Sequence, residues 1–346
     1  MTFPSLEQML GQLFIIGFKG LHLSECPNIV CDIEKRYLGG VILFDRHLAT
    51  KAPINNITGA VQLHQLTDDL QSLDNTKLLI AVDQEGGKVN RFREEFGFTL
   101  SASAKKLGDT PDTAETAQMA RQVAQMLKNV GVNFNLAPVV DLDSNPTNPI
   151  IGKVERSFSA DAGEVARHAS VWIAEHRKAD ILTCLKHFPG HGSSEKDSHL
   201  GVVDISNSWK SDELDPYQQL INTGLVDAIM VGHLYHKEMD PHFPATLSRR
   251  IVTDLLRHEM HYTGIVISDD MQMKAITDRF GLAKACVMAI AAGVDMVIIG
   301  NNIDYDAEIF SRIHTSALQA IDNGTLSEDR VRSAWTQVNT LKSHIK

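Results

Sequence analysis

The chain has 346 residues, of which 43% are hydrophobic and 22% are charged, so it can bury a large core in one domain or two small ones. Its net charge of -10 comes without any block of lysine and arginine, which argues against nucleic acid or an anionic membrane surface as the main partner. We therefore expect a small-molecule partner.

The N-terminal stretch MTFPSLEQMLGQLF has no basic cluster before its apolar residues and no small-residue cleavage site, which argues against a signal or transit peptide. The longest apolar runs, such as VDMVIIG, are too short to span a bilayer. These features predict a cytoplasmic protein. No disulfide framework or C-x-x-C pair is present, so we expect buried thiols at Cys26, Cys31, Cys184 and Cys286.

Short apolar runs rich in β-branched residues recur along the chain and predict strands that are buried on both faces, as in a parallel sheet. In chain order these runs cover residues 13–18, 41–44, 78–82, 133–140, 182–188, 228–233, 265–268 and 296–300.

Helical patterns separate most of these runs. The clearest covers 116–130, where apolar residues including Met119, Val123 and Leu127 share one face. Period and cap signals place the other helices at roughly 56–70, 161–178, 212–222, 248–260, 279–292, 305–321 and 327–343.

Strands that alternate with helices in this way predict an α/β protein with a (β/α)8 barrel that occupies residues 1–346 as a single domain. The alternative is a doubly wound open sheet. No glycine-rich phosphate-binding motif follows the first strand, and no repeat or low-complexity stretch marks a linker between domains.

In a barrel of this kind, polar residues just after the strands form the active site. Such residues follow five of the predicted strands, in the stretches DQEGGKVNR, DLDSNPTNP, KHFPGHGSSEKDSHL, HLYH and DDMQM. The sequence therefore predicts a site at the carboxyl end of the barrel.

The stretch KHFPGHGSSEKDSHL offers a proton-transfer pair. Lys186 and His187 end a buried strand, and a proline and two glycines then lead into a loop that carries Asp197 and His199. With this spacing, Asp197 can accept a hydrogen bond from one ring nitrogen of His199 and leave the other nitrogen to shuttle a proton.

The stretch SDD places two carboxylates, Asp269 and Asp270, at the end of the seventh predicted strand. A carboxylate fixed at a strand end can attack an electrophilic carbon, as in the covalent glycosidase mechanism. Cap preferences favour a helix cap or a loop ligand as the role of Asp270.

The histidines also allow a metal site. His187, His191, His233 and His236 could be the ligands of a metal-dependent barrel hydrolase. Against this interpretation, no His-x-His pair ends an early strand.

Two further loops contain candidate ligand-binding residues. In DQEGGKVNRF, Gly86 and Gly87 allow a tight turn that leaves Asp83 and Arg91 available nearby. In the rigid loop NPTNPIIGKVERSFS, Arg156 is the strongest candidate to reach a ligand hydroxyl or carbonyl group.

Taken together, several of these stretches resemble the catalytic barrel of glycoside hydrolase family 3. The resemblance is closest to its bacterial β-N-acetylhexosaminidase branch, whose members recycle peptidoglycan, and it runs in order over most of the chain. The matching stretches are DQEGGKVNRF, NFNLAPVVDLDSNPTNPIIG, RSFS, CLKHFPGHGSSEKDSHL, PATLS and VISDDMQMKAI.

The resemblance implies a role for each matching residue. Asp269 is the expected nucleophile, and His199 with its partner Asp197 forms the expected acid/base dyad, in place of the glutamate of many retaining glycosidases. No metal or organic cofactor is implied. The residues expected to hold the hydroxyl groups and the N-acetyl group of the terminal sugar are Asp83, Arg91, Arg156, Lys186 and His187.

The expected function is that of a retaining exo-β-N-acetylglucosaminidase that acts on muropeptides. A β-glucosidase and a phosphorolytic hexosaminidase are alternatives on the same fold; a metal-dependent hydrolase and an inactive sugar-binding module are alternatives of other classes. The resembling enzymes often have histidine where this chain has Gln84, so the preference beyond the first sugar could differ. The sequence leaves the oligomeric state open.

Overall fold

A computed structural model describes residues 4–73, 77–110, 112–196 and 201–345. All eight predicted strands are present in it, together with a small additional pair. The strands are β1 Phe14–Gly17, β2 Gly40–Ile42, β3 Leu79–Val82, β4 Phe134–Asn135, β5 Leu182–Phe188, β6 Val203–Asp204, β7 Ala228–Val231, β8 Leu234–Tyr235, β9 Ile265–Ser268 and β10 Val297–Ile299.

Eight of the strands form one parallel sheet in the order β10-β1-β2-β3-β4-β5-β7-β9. The two ends of this order meet through a parallel bridge between Ile267 and Met296, so the sheet closes on itself. Every residue of the eight strands is buried, as the apolar runs predicted. The predicted barrel is therefore confirmed, and the open-sheet alternative is wrong.

The seam between β9 and β10 relies partly on side chains. The Ser268 hydroxyl oxygen accepts a hydrogen bond from Ile298 N at 2.9 Å, and the Asp295 carboxylate accepts one from Val266 N at 2.9 Å. Asp295 is itself buried and is bound by two arginines at the amino end of the barrel, Arg257 at 2.5 Å and Arg330 at 2.7 Å.

Helices surround the sheet. They are α1 Leu6–Gly11, α2 Pro27–Arg36, α3 Ala60–Gln71, α4 Ala104–Gly108, α5 Ala114–Asn129, α6 Ala162–Lys178, α7 Asp215–Ile221, α8 Lys274–Phe280, α9 Leu282–Ala292, α10 Ile309–Asp322 and α11 Glu328–Lys342, with a π-helix at Arg250–Glu259.

Local signals explain where the longer helices begin. The Asp161 side chain accepts a hydrogen bond from Glu164 N and caps α6, and the Ser327 side chain caps α11 in the same way. Arg177 and Lys178 lie in the last turn of α6, where positive charge is favourable to the helix dipole.

The sequence did not indicate four of the helices, α1, α2, α4 and α8. Helix α2 shows why, because its buried face consists of only Ile29, Asp32 and Ile33, too few apolar positions for a clear period. The helix expected at 248–260 is present as the π-helix.

The small sheet lies outside the barrel. Strand β6 pairs in parallel with β8, and Val203, Ile205 and Leu234 form a separate apolar cluster against which Trp209 packs. The Trp209 indole N–H donates to Pro189 O at 3.0 Å and so ties this cluster to the loop that follows β5.

The four cysteines are free; Cys26, Cys184 and Cys286 are buried and Cys31 is half-buried, close to the expectation. Across the ranges that the structure describes, no helix combines the length and the apolar character needed to cross a membrane.

Candidate active site

Lys186 lies at the centre of a charge network at the carboxyl end of the barrel. It is near the end of β5, and its side chain is only 2% exposed. Its Nζ lies 2.7 Å from Asp83 Oδ1 and 2.7 Å from Glu85 Oε1, both of which follow β3. Burial alone would lower the pKa of Lys186, but the two carboxylates outweigh burial and raise it, so the lysine stays charged.

Glu85 joins Lys186 to Arg156. The Arg156 guanidinium binds both oxygens of Glu85, with Nε at 2.7 Å from Oε2 and a terminal nitrogen at 2.8 Å from Oε1. Burial alone would raise the pKa of Glu85, yet the two cations hold it well below its usual range. Glu85 is therefore an ionised anchor for two of the predicted ligand-binding cations.

His187 continues the network from Arg156 to Asp141. Its Nδ1 lies 2.7 Å from Asp141 Oδ2, and its Nε2 lies 3.3 Å from a terminal nitrogen of Arg156. A carboxylate can only accept and a guanidinium can only donate, so we assign the proton to Nδ1 and leave Nε2 as the acceptor. The buried carboxyl group of Asp141 has a lowered pKa because His187 and His191 outweigh the effect of burial.

Arg91 lies on the other side of Asp83. One of its terminal nitrogens is 3.7 Å from Asp83 Oδ2 and the other is 3.7 Å from Asp45 Oδ1. Asp45 follows β2, is fully buried and also binds Arg93 at 3.1 Å. The guanidinium of Arg91 lies 5.7 Å from the centre of the Phe44 ring. These contacts fix the position of Arg91 beside Asp83.

The turn that carries Glu85 and Arg91 is held by Gln84. The buried Gln84 side chain donates to Asn90 Oδ1 at 2.7 Å and accepts from Arg91 N at 3.0 Å. Gly86 has φ +97°, and a Cβ there would lie 2.2 Å from Ala102 O, so the turn requires glycine. Gln84 thus orders the loop around the site.

Asp269 and Asp270 have different roles after β9. Asp270 Oδ1 accepts hydrogen bonds from Gln272 N at 3.0 Å and Gly300 N at 2.9 Å, which confirms Asp270 as a loop ligand. Asp269 is half-buried, and its Oδ1 accepts from Asp270 N at 2.8 Å. Asp269 is therefore at the same end of the barrel as Lys186.

The histidines proposed as metal ligands form hydrogen bonds with other groups of the chain. His191 contacts Ser194 Oγ at 2.7 Å, His233 lies between Thr246 Oγ1 and Asp270 O, and His236 accepts from Met239 N. Burial lowers the pKa of His191 to about 4. Among the described residues, no group of three or more His, Cys, Asp or Glu side chains is arranged to hold a metal ion.

The structure brings all five predicted ligand-binding residues into one connected network, and Asp269 lies at the same barrel end. Asp197 and His199 lie outside the described residues. Glu85, Asp141 and Asp45 were not singled out from the sequence, although Glu85 and Asp141 lie in the strand-end stretches that it indicated. With buried cations behind it, the partly exposed Asp83 can accept hydrogen bonds from the hydroxyl groups of a ligand.

The chain matches the model of the Glycosyl hydrolase family 3 N terminal domain over residues 5–341. It is 30% identical to Beta-hexosaminidase A of Pseudoalteromonas piscicida, over 98% of this chain and 61% of that protein. It is 32% identical to a Beta-hexosaminidase of Nitrosomonas eutropha, over 93% of this chain and 89% of that protein. The chain thus spans less than two thirds of the first relative and most of the second.

A solved structure of similar fold is that of a glycoside hydrolase family 3 beta-N-acetylglucosaminidase from Paenibacillus sp. str. FPU-7. It superposes with a TM-score of 0.90 at 31% identity, over 99% of this chain and 63% of that one. Nearly the whole of this chain therefore corresponds to less than two thirds of that protein.

Proposed function

Because the chain belongs to the β-hexosaminidase branch of glycosyl hydrolase family 3, we propose that it is a retaining exo-β-N-acetylglucosaminidase. In this proposal it releases the terminal non-reducing N-acetylglucosamine from muropeptide fragments in the cytoplasm, as part of peptidoglycan recycling. The identity of the aglycone and the cellular location rest on the resemblance of the motifs and on the features of the sequence.

The observation that carries the proposal is the network that joins Asp83, Lys186, Glu85, Arg156 and His187. Each cation in it is bound to a carboxylate at 2.7 or 2.8 Å, so the groups are held in place before a ligand arrives. The acceptor oxygens of Asp83 suit sugar hydroxyl groups, and the guanidinium groups suit carbonyl or hydroxyl oxygens.

In the first step, the Asp269 carboxylate attacks C1 of the sugar, the bond from C1 to the leaving oxygen breaks, and His199 donates a proton to that oxygen. Asp269 attacks in its ionised form, and its Oδ1 accepts a hydrogen bond from Asp270 N. In the second step, water attacks C1, His199 takes a proton from the water, and the bond from C1 to Asp269 breaks. Asp197 orients His199 in both steps.

The test is turnover of an aryl β-N-acetylglucosaminide by the wild type, Asp269→Ala and His199→Ala, followed by mass spectrometry of enzyme treated with a fluorosugar trap. We expect activity that collapses in both variants and a sugar bound covalently to Asp269. Peptide fragmentation distinguishes Asp269 from its neighbour Asp270. A label on another residue, or an active Asp269→Ala variant, would contradict the proposal.

A parallel assay with inorganic phosphate separates hydrolysis from phosphorolysis. Free N-acetylglucosamine is the expected product under both conditions, since the proposal makes water the acceptor in the second step. Formation of the sugar 1-phosphate would favour the phosphorolytic alternative, and a preference for aryl glucosides would favour a β-glucosidase.

A further inference from the structure

The chain that follows β5 is held by carboxylates on two sides. On the barrel side, Asp141 Oδ1 accepts hydrogen bonds from His187 N at 3.0 Å and His191 N at 2.8 Å. On the outer side, Glu213 Oε2 accepts a hydrogen bond from Gly192 N at 3.0 Å. The turn from His191 to Ser194 thus lies between two buried acids that come from different parts of the chain.

Glu213 belongs to the 3-10 turn Ser211–Leu214, which leads into α7, and it is only 2% exposed. The approach is close, because a Cβ at Gly190, whose φ is +118°, would lie 2.5 Å from Glu213 Oε2. A Cβ at Gly192 would lie 1.8 Å from Leu142 O. The turn therefore fits between Glu213 and Leu142 only with glycines at these two positions.

Apolar packing does little to hold the outer side of this turn. A cavity of about 1110 Å³ lies there, and its lining is mostly polar or charged. Its walls include Leu142, Ser193, Glu195, Lys210 and Asp212, together with Glu213 itself. The position of the turn on this side therefore depends on hydrogen bonds, and Glu213 supplies one of them.

On the basis of the proposed function, we propose that Glu213 is a positioning residue for the proton-transfer step. Its ionised carboxylate accepts from Gly192 N and, together with Asn148, which donates to His191 O and Gly192 O, holds the turn His191 to Ser194. From this turn the chain continues to Asp197 and His199. His187, at the start of the same segment, is held independently by Asp141 and Arg156. Loss of the Glu213 charge therefore affects kcat and leaves sugar binding intact.

The protonation of Glu213 changes near neutral pH. Burial raises its pKa to about 7, hydrogen bonds from Ser193 and Gly192 oppose the rise, and the charge of Asp141 adds to it. Since these hydrogen bonds favour the ionised form, they hold the turn more firmly above pH 7 than below it. The titratable groups that face Glu213 from the neighbouring elements, or line the same cavity, are Asp141, Asp161, His191, Glu195, Lys210, Asp212, Asp215 and Tyr217.

The ionised form of Glu213, which holds the turn, lowers the stability of the whole protein. A carboxyl group whose pKa is raised in the folded state favours folding in its neutral form, so its charge costs folding free energy above about pH 7. The variant Glu213→Gln, which is neutral, should therefore be no less stable than the wild type at pH 8 while its kcat is lower. A residue with only a structural role would lose stability and activity together.

The experiment measures kcat and KM of the wild type, Glu213→Gln, Glu213→Ala and the control Asp212→Asn over the range from about pH 5.5 to about pH 8.5. Asp212 is an exposed acid of the same turn. We expect the ratio of kcat for Glu213→Gln to that of the wild type to be near one at the acid end and to fall about tenfold above pH 7. KM and the Asp212→Asn profile should not change. A ratio that is independent of pH would overturn the proposal.

Amide deuterium exchange of the peptide that covers residues 190–194 provides a readout without turnover. At pH 8 we expect faster exchange in Glu213→Gln and Glu213→Ala than in the wild type and in Asp212→Asn. Equal exchange in all four proteins would overturn the role of Glu213. An inactive wild type with this exchange pattern would contradict the proposed function alone.

Discussion

The barrel has a buried charge cluster at each end, and the two clusters differ in how their groups are used. At the carboxyl end, Lys186 and Arg156 bind the carboxylates of Asp83 and Glu85. At the amino end, Asp295 binds Arg257 and Arg330. Both clusters pair carboxylates with cations at similar distances, so their chemistry alone does not separate a site from a structural support.

The remaining hydrogen-bonding capacity separates them. At the amino end, Arg330 also donates to Ile290 O and Val294 O, and Arg257 donates to Gly264 O, so the arginines are committed to the backbone. At the carboxyl end, the partly exposed Asp83 and Arg91 lie 3.7 Å apart, beyond hydrogen-bond distance, and can meet a ligand. With the proposed function, position relative to the strand ends separates the cluster that meets the substrate from the one that supports the fold.

The largest effect is expected from a neutral residue at the attacking carboxylate. Asp269→Asn should lower kcat by about 10⁴-fold or more, because the amide cannot form the covalent intermediate. Asp270→Asn keeps an oxygen that accepts from Gln272 N and Gly300 N, so it should cost less than about tenfold. Steady-state kinetics with the aryl substrate measure both. Greater damage in Asp270→Asn would reverse the assignment.

The next largest effect is expected at Glu85, which binds both cations of the carboxyl-end cluster. Glu85→Gln keeps the shape of the side chain but removes the charge that Lys186 and Arg156 share, so we expect kcat/KM to fall about 100-fold through misplacement of the two cations. The control is Glu164→Gln, which breaks an exposed ion pair with Arg167 in α6. Unchanged kcat/KM in Glu85→Gln would show that the cluster at the carboxyl end is structural, like the other one.

The corresponding change at the amino end should leave the kinetics unchanged. Asp295→Ala leaves two partly buried arginines without their carboxylate and removes the acceptor for Val266 N, so we expect the free energy of unfolding to fall by about 3 kcal/mol. Denaturant unfolding gives the loss of stability. Assays at a temperature where the variant is folded should give wild-type kcat and KM. A lower kcat or a higher KM in Asp295→Ala would contradict the distinction between the two ends.

The smallest effect is expected from a chelator. The carboxylates at the carboxyl end are bound by cations of the chain itself, and the described histidines contact separate partners, so EDTA should change neither kcat nor KM. Turnover before and after dialysis against EDTA checks this. Loss of activity that zinc restores would revive the interpretation of the histidines as metal ligands.

The strands could be predicted because a parallel barrel needs strands that are buried on both faces, and these strands appear as continuous apolar runs. The sequence did not indicate helix α2, because charged and polar residues surround its narrow buried face. The strand-end rule indicated the stretches in which the charge cluster at the carboxyl end lies.

The partners within those loops could not be predicted. Nothing in DQEGGKVNRF distinguishes Glu85 as the buried anchor from Asp83 as the partly exposed edge, because the difference arises from contacts with Arg156 and Lys186, which lie far away in the chain. The sequence did not indicate Glu213 for the same reason, because Gly192, which Glu213 contacts, lies 21 positions away in the chain.

The closing seam between β9 and β10 also bears on how the protein loses activity on heating. Asp269 immediately follows β9, and on that side the Ser268 hydroxyl and the Asp295 carboxylate hold the sheet together with backbone bonds such as Ser268 N to Met296 O. Side-chain bonds of this kind can open locally before the rest of the sheet unfolds. We therefore expect thermal inactivation to begin a few degrees below the main calorimetric transition and to be reversible on cooling, so that heat acts on this enzyme first as a switch and only later as a denaturant.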